Sequence, residues 1–463
     1  MNEMPRTLAY AGIALALAAL AIVSRPALPK AAVFEDQGKA FYPEFKDPLL
    51  AASLEVTDHD EATARVRRFK VVLQDGKYVV PSKWNHPADA KDRLAKTASA
   101  MIGLGKDDVR TDQPKDHEMY GVVDPSESAA GAAGRGSRVT LRDASGKVLS
   151  DLIFGKAVKE KAGVRYVRLP DQKRVYESKV PYEVSAKFSD WVETDLLQIS
   201  SGQLKKLVMN SYTIDEEAEL IKEQEVQTLE KDAEGKWRLQ SLAAGEELKK
   251  EVVDEMVAAL DELKIVDVRR KPESVAKFFR GEQKGLTLQD LGSLQAGGFY
   301  VSQGRMFANE GELRIHADDG VLYQLWFGEI VSDADEGKEE GKESRYLLIR
   351  VHFDDGAFPA PPEPKETKED GTAKTDEEKK KDREDFESKK KERDAKVEAG
   401  QKREKALAAR FADWYYVISA DSFKKLHKVK ADLVTKPEEK KPEGKKPVEE
   451  KKPSEEKRPE TPK

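Results

Sequence analysis

Five short stretches of this chain occur twice, in the same order. "LQDGKYVV" (73–80) is matched by "DAEGKWRL" (232–239). "VTLRDASGKVLSDLIFG" (139–155) is matched by "LRIHADDGVLYQLWFG" (313–328) with one residue inserted, and "VRYVRL" (164–169) by "SRYLLI" (344–349). "KFSDWVE" (187–193) is matched by "RFADWYY" (410–416), and "QISSGQLKKLV" (198–208) by "VISADSFKKLH" (417–427). Chance rarely preserves order across five matches. An ordered internal repeat has to be read before any motif, because it sets how the chain divides. It predicts two tandem related units, 36–203 and 204–430, within 463 residues.

Each unit reads as the same succession of elements. "RFKVVLQDGKYVV" has two strand patterns around an Asp-Gly turn. Pro87 then opens a helix whose Leu94, Ala98, Met101 and Ile102 share a face, with Gly103 or Gly105 as its stop. In the second unit "ELKKEVVDEMVAALDELKI" takes that role, with Val252, Met256, Leu260 and Leu263 inward. Strand pairs follow around Gly146 and Gly320, then the strands of Tyr166 and Tyr346. This is an α+β pattern: mostly antiparallel sheet with a packed helix, without regular β-α-β alternation. The repeated Phe188-x-Asp190-Trp191 and Phe411-x-Asp413-Trp414 phrases read as packing anchors. Phe and Trp three apart on a helix meet on one face, and the Asp between them can bond backbone donors.

The repeats also locate what only one unit carries. Tyr166 and Trp191 lie 25 residues apart, Tyr346 and Trp414 lie 68 apart, so about 43 residues are extra in the second unit. Composition places them at 359–410, Pro-rich at first and then densely charged. There Thr375 and Glu378 form a capping-box pattern. Asp385–Lys389, Glu387–Lys391, Glu392–Lys396 and Glu398–Lys402 are i,i+4 pairs that favour a solvated helix. Phe386, Val397 and Leu407 are too sparse for a heptad seam. Residues 431–463 are mostly Lys, Pro and Glu and predict a disordered tail.

Charged residues make up 36% of the chain and hydrophobic ones 38%, yet the net charge is only -6. That balance argues against nucleic acid, whose backbone calls for a basic surplus. There is no cysteine, which removes disulfides, thiolate metal sites and cysteine nucleophiles. Thr7–Val23 is uncharged and rich in Ala and Leu, with Arg6 before it and Arg25-Pro26 after it. As a helix its 17 residues would span about 25 Å, a little less than a bilayer core. It reads as a single-pass transmembrane signal anchor; the competing reading is a signal peptide cut near Ala19-Leu20-Ala21. Both send the remainder out of the cytoplasm.

The chemical motifs are poor. His59, His86, His117, His316, His352 and His427 do not coincide between the two repeats, and "HEMYG" (117–121) lacks the second histidine of a zinc-protease helix. Asp58, His59, Asp60 and Glu61 alternate faces if they lie on a strand, so they cannot all meet one metal. "DADEG" (333–337) has its glycine one residue early for a calcium loop, and the twelfth position is Ser344. "GAAGRG" (131–136) opens a strand rather than a helix, which a phosphate cradle would need. No Gly-x-Ser-x-Gly elbow is present. No catalytic, cofactor-binding or metal residue is assigned, and no cofactor is expected. Trp84, Trp237 and Trp326 are the aromatic residues a ligand-binding reading would use.

"DQGKAFYPEF" (36–45), "HPADAKDRLAKTASAMIGL" (86–104), "YGVVDP" (120–125), "RVTLRDASGKVL" (138–149), "KRVYESKV" (173–180) and "FSDWVETDLL" (188–197) together resemble the bacterial domain of unknown function 4340 family. The resemblance covers about 36–210; the second repeat lacks "YGVVDP". It implies a membrane-anchored envelope protein, often encoded beside gliding-motility-type ABC transporter subunits, and brings no catalytic residues. The function expected is therefore a non-catalytic, membrane-anchored extracytoplasmic interaction or accessory protein. Its place would be the inner membrane, single-pass, with the soluble part periplasmic. Its partners would be the membrane, through the N-terminal helix, and ABC transporter subunits or other envelope proteins. The alternative is an extracytoplasmic hydrolase or glycan-processing or glycan-binding protein with a site between the two units.

Overall fold

Asp75 and Gly76 both take positive φ, 49° and 77°, the backbone a two-residue hairpin turn requires. They join β2 (Arg65–Gln74) to β3 (Lys77–Val80), and β2 in turn pairs with β1 (Ser53–Asp60). The computed structural model that gives this geometry describes residues 11–17 and 36–435, apart from 61–64, 128–132, 182–183, 194, 216–219, 332–342 and 369–371. The described residues group into two compact units. The first reaches Thr194 and takes in Val266–Val268; the second continues from Asp195.

The first unit adds β4 (His86–Pro87), β5 (Asp108–Thr111), β6 (Ser137–Arg142), β7 (Val148–Ala157), β8 (Val164–Arg168) and β9 (Val175–Lys179). Its sheet runs β4-β3-β2-β1-β6-β7-β8-β9-β5. The second unit has β10 (Leu204–Asp215), β11 (Leu220–Lys231), β12 (Trp237–Leu239) and β14 (Ile265–Arg270), with the two-residue β13 (Glu247–Leu248) aside. It continues with β15 (Phe299–Ser302), β16 (Arg305–Ala308), β17 (Glu312–Ala317), β18 (Val321–Ile330), β19 (Ser344–Phe353), β20 (Trp414–Ser419) and β21 (Val434–Thr435). Its large sheet runs β12-β11-β10-β17-β18-β19-β20-β14. Replace each strand by its place in the chain and the two orders coincide, apart from the extra β4 edge. The ladders run antiparallel, so the class is α+β.

Side chains alternate across each sheet. In the first unit Leu54, Val56, Val71, Val139, Leu141 and Leu152 point to one face and are fully or almost fully buried. Helix α2 (Lys91–Met101; α1 denotes residues 11–17) contributes Leu94, Ala98 and Met101 to this core, and Gly103 at φ 74° ends the helix in the left-handed conformation, as a helix C-terminus favours. It starts at Lys91, later than Pro87, because Pro87 is held in β4 opposite Val79; Ile102 is the C-cap residue and not part of the inward face. In the second unit α4 (Lys250–Asp261) buries Val253, Met256, Val257 and Leu260. Met256 and Leu260 are inward as predicted, and Leu263 is buried just past the helix end; Val252 is half-buried, and Val253 takes its place in the core.

The opposite face of each sheet is partly covered. In the first unit the segment around α3 (His117–Tyr120) lays Tyr120 and Val122 against Ile153, Tyr166 and Val175. In the second, α5 (Glu273–Phe279), α6 (Leu288–Ala296) and the β15–β16 hairpin cover Trp326, Leu348 and Tyr415. Neither α5 nor α6 was predicted, although Thr287 and Asp290 form the capping box that starts α6.

Helix α7 (Asp376–Ala412) begins at the predicted Thr375–Glu378 capping box. Of the predicted i,i+4 pairs, Glu392–Lys396 is bonded at 2.7 Å. The helix leads directly into β20, so the extra chain lies between β19 and β20. This corrects the match through Phe-x-Asp-Trp, and with it that of 198–208 with 417–427, where Lys-Lys-Leu lies in β10 in one stretch and in the helix Ala420–Leu426 in the other. Phe188–Asp190 is a 3-10 turn after β9, whereas Phe411 ends α7 and Trp414 begins β20. Register instead places Tyr176 opposite Val167 and Tyr416 opposite Leu347. Two aromatic residues flanking an Asp mimic a repeat, because each phrase fills a core. Trp191 packs on Phe69 at 5.5 Å and Phe411 on Tyr323 at 6.5 Å. Helices α8 (Ala420–Leu426) and α9 (Lys430–Leu433) and the short β21, paired with β13, complete the described chain, so the expected tail from 431 begins with five ordered residues, Leu433 among them buried.

Of Thr7–Val23, residues 11–17 are described; they are helical and exposed. Among the described residues no helix is long and apolar enough to cross a membrane. The remainder of that segment, Glu61, "DADEG" (333–337) and the tail from 436 lie outside the described residues.

Candidate functional site

The histidines are dispersed. His59 is the last residue but one of β1; His86 lies against Phe188 at 5.6 Å. His117 bonds the Lys173 carbonyl at 2.7 Å, and His427 stacks on Phe423 at 4.9 Å. His316 and His352 both flank Leu322 in register, so they share a sheet face two strands apart. His316 is 4.0 Å from Asp354. Burial pushes the pKa of His117, His316, His352 and His427 down. Among the described residues no three His, Asp or Glu side chains are placed to hold a metal. In "GAAGRG", Gly134 lies against the Glu118 backbone and Gly136 against Ile153 and Phe154, ahead of β6.

Buried charges are engaged by the fold itself. Glu177 accepts from Arg110 Nε at 2.5 Å and Lys161 Nζ at 2.6 Å. Arg168 donates to the carbonyls of Val122 (2.9 Å), Pro170 (2.9 Å) and Gln172 (3.0 Å). Asp290 accepts from Ser274 and Thr287, Glu312 from Asn210 and Arg314. Partly buried Arg138 takes Asp151 through two nitrogens, at 3.0 and 2.7 Å, with Thr140 as a third donor at 2.9 Å. Asp36 is held below the usual carboxylate range by the Tyr176 hydroxyl, whose own pKa burial pushes up to about 12.

Lys271 is buried as well. Its Nζ donates to the Phe411 and Ala412 carbonyls at 3.0 Å each, the last turn of α7. The Phe279 ring centroid is 4.3 Å away and that of Tyr415 5.5 Å. A cation suits both a helix C-terminus and a ring face. Burial nevertheless pushes its pKa down to about 7, against Asp413, which raises it. Asp413 itself pairs with Arg280. The Asp of this phrase therefore anchors a helix end, and Asp190 accepts from Ser185.

One device occurs in both units and was missed in the sequence reading. The ladder shifts register between Phe154 and Ala157 and between Phe327 and Ile330, a bulge in each case. The glycine after each phenylalanine, Gly155 or Gly328, lies where the covering segment crosses. A Cβ would collide with the carbonyl oxygens of Tyr120 and Gly297 respectively. Each bulged glycine carbonyl is capped by an arginine from the next strand, Arg165 Nε at 2.9 Å and Arg345 Nη1 at 2.6 Å. The repeated "FG" and "RY" were the visible signal.

Three surfaces remain. On the open part of the second sheet Lys206, Arg314, Gln324 and Arg350 are half-buried or exposed beside His316 and His352. A depression on α7 is lined by Glu387, Ser388, Lys390, Lys391 and Asp394, without the apolar lining typical of small-molecule sites. Trp84 is 46% exposed and, with Asn85, takes positive φ (53° and 59°). Trp326 is buried and Trp237 is half-buried, 5.2 Å from the Lys231 ammonium. Among the described residues the charged and aromatic groups of these three surfaces are dispersed over the fold.

Residues 79–278 match the family described as Domain of unknown function (DUF4340). That match begins later than the resemblance at 36–210 and continues into the second unit as far as α5. No curated protein and no solved structure matches the chain.

Proposed function

We propose that this chain, which over residues 79–278 belongs to the domain of unknown function 4340 family, is a membrane-anchored extracytoplasmic interaction protein that works without a catalytic centre. The observation that carries the reading is the coincidence of the two strand orders, together with the duplicated bulge and arginine. It supports an internal duplication, giving two like units that each offer a broad sheet. Buried carboxylates and cations serve these scaffolds, as Glu177 and Lys271 illustrate. Thr7–Val23 supplies the anchor in this reading, in an inner membrane with both units outside the cytoplasm. The partner is an integral membrane protein, a transport subunit of ABC type being the class the family resemblance suggests.

The test is capture from native membranes. The full chain, tagged at Lys463, is expressed at native level, gently crosslinked and purified. Reproducible recovery of an ABC permease or another integral envelope protein supports the reading. Recovery of the protein alone, in the soluble extracytoplasmic fraction, contradicts both the anchor and the partner.

A further inference from the structure

One end of the first sheet carries a run of exposed apolar side chains. Leu49 is 78% exposed, Leu50 51%, Leu73 42% and Val148 38%. A single exposed leucine carries no message, but these belong together. The turn Pro48–Leu50 fixes the first two: Asp47 accepts from Leu49 N at 2.9 Å, and Leu50 N donates to the Asp47 carbonyl at 3.2 Å. Leu73 N donates to the Ala52 carbonyl at 2.8 Å, and Ala52 N to the Arg142 carbonyl at 2.9 Å. Arg142 stands opposite Val148. The four therefore sit on neighbouring strand ends, from β2 across to β7.

The rim of this tip is charged, with both signs present. Lys46, Lys77 and Lys147 are exposed and Arg142 is half-buried, and Asp47, Asp75 and Asp143 lie in the same turns. Asp47 and Asp143 are turned onto their own loops; Asp143 accepts from Ser145 N at 2.8 Å and Lys147 N at 3.0 Å. Leucines held at the point of a rigid turn, with lysines behind them, fit the boundary between lipid headgroups and acyl chains. The lysine ammonium groups then reach the phosphates of the headgroup layer.

The position of the apolar run identifies the occupant. Thr7–Val23 ends before a connection, 24–35, that reaches at most about 40 Å even if fully extended. The first unit is therefore tethered close to whatever surface that run enters. We infer that this end of the first unit rests on a lipid surface, with Leu49 and Leu50 entering the headgroup region. The inference builds on the membrane-anchored reading above and adds a second, reversible contact that orients the unit on the bilayer.

The chain has no cysteine, so single labels can be placed cleanly. Full-length protein carrying Gly12→Cys, Leu49→Cys or Leu288→Cys is labelled with an environment-sensitive fluorophore. It is reconstituted in vesicles of equal parts phosphatidylcholine and phosphatidylglycerol containing nitroxide lipids. Gly12 lies in the apolar run, and Leu288, 89% exposed, serves as the control in the second unit. Quenching at both 12 and 49, severalfold above that at 288, is the expected result. Adding Leu50→Glu and Leu73→Glu should then bring the signal at 49 down to that at 288. Both side chains are exposed, so the fold is not at stake. Quenching at 12 without quenching at 49 overturns the lipid contact and leaves the anchor standing. Absence of quenching at 12 overturns the anchor and the contact with it.

Discussion

Arg345 donates from Nη1 to the carbonyl oxygen of Gly328 at 2.6 Å. The bulge between Phe327 and Ile330 takes that carbonyl out of the ladder, and the guanidinium restores its partner. Arg165 does the same for Gly155 in the first unit at 2.9 Å. Loss of a charged hydrogen bond to a buried group costs about 1–3 kcal/mol. Arg345→Met should lower unfolding stability by about that amount in denaturant titration, and Arg165→Met should do so in its own unit. Lysine at either position should recover part of the loss, because it supplies the charge without the fork.

The two glycines are needed for a different reason. Gly328 lies under the Gly297 carbonyl and the Phe299 ring, so Gly328→Ala must push the β15 segment off the sheet. A loss of about 2–4 kcal/mol is predicted, at the upper end for overpacking. Gly292, inside α6, has nothing near its missing Cβ. There Gly292→Ala should stabilise by about 0.5–1 kcal/mol. Thermal melts of the two variants should move in opposite directions.

Lys271 makes stability depend on pH. In the unfolded chain its amine stays protonated up to about 10.5, whereas in the fold burial lowers its pKa to about 7. Between these values the unfolded state binds more protons, so stability rises with pH across that window. The destabilisation is complete below about 7 and gone above 10.5. Denaturation midpoints measured from neutral to alkaline pH should climb in the native sequence, and Lys271→Met should flatten that climb.

The long helix depends on its first turn. Thr375 accepts from Glu378 N at 3.3 Å, and Glu378 accepts from Thr375 N at 2.9 Å. The Lys368 ammonium and the bonds from Thr375 hold the Glu378 carboxyl down at about 2. Thr375→Ala should cost about 1 kcal/mol of helix stability. Amide hydrogen exchange should show faster exchange at the start of α7 and no change near Leu407.

Local structure was legible where one short-range cause decides it. Asp75-Gly76 fixes a turn, Leu94, Ala98 and Met101 fix a helix face, and Thr375 with Glu378 fixes a helix start. The faces that depend on a partner were not. Val252 and Val253 are both good core residues, and only packing chooses between them. The Phe-x-Asp-Trp match misled because similar aromatic anchors arose on unlike elements. The "FG" repeat was visible, but its cause lies in the covering segments around Gly121 and Gly298, distant in sequence. Lys271, in "RRKPES", gave no signal, since its site is built from residues 140 positions away. Thr287 and Asp290 carry a readable capping box for α6.

Both units are built on one strand order, and engineered disulfides test this most directly. Strand β1 neighbours β6, with Glu55 opposite Thr140; β10 neighbours β17, with Val208 opposite Arg314. Cysteine pairs at 55/140 and at 208/314 should close rapidly under mild oxidation, since bridged Cα atoms lie about 5–6 Å apart. Pairs at 70/140 and 228/314 straddle a strand, at roughly 10 Å, and should stay open. Closure of both neighbouring pairs, with the straddling pairs open, is the predicted result. Closure of 55/140 with 208/314 open would contradict the shared order and remove the support for a duplicated scaffold.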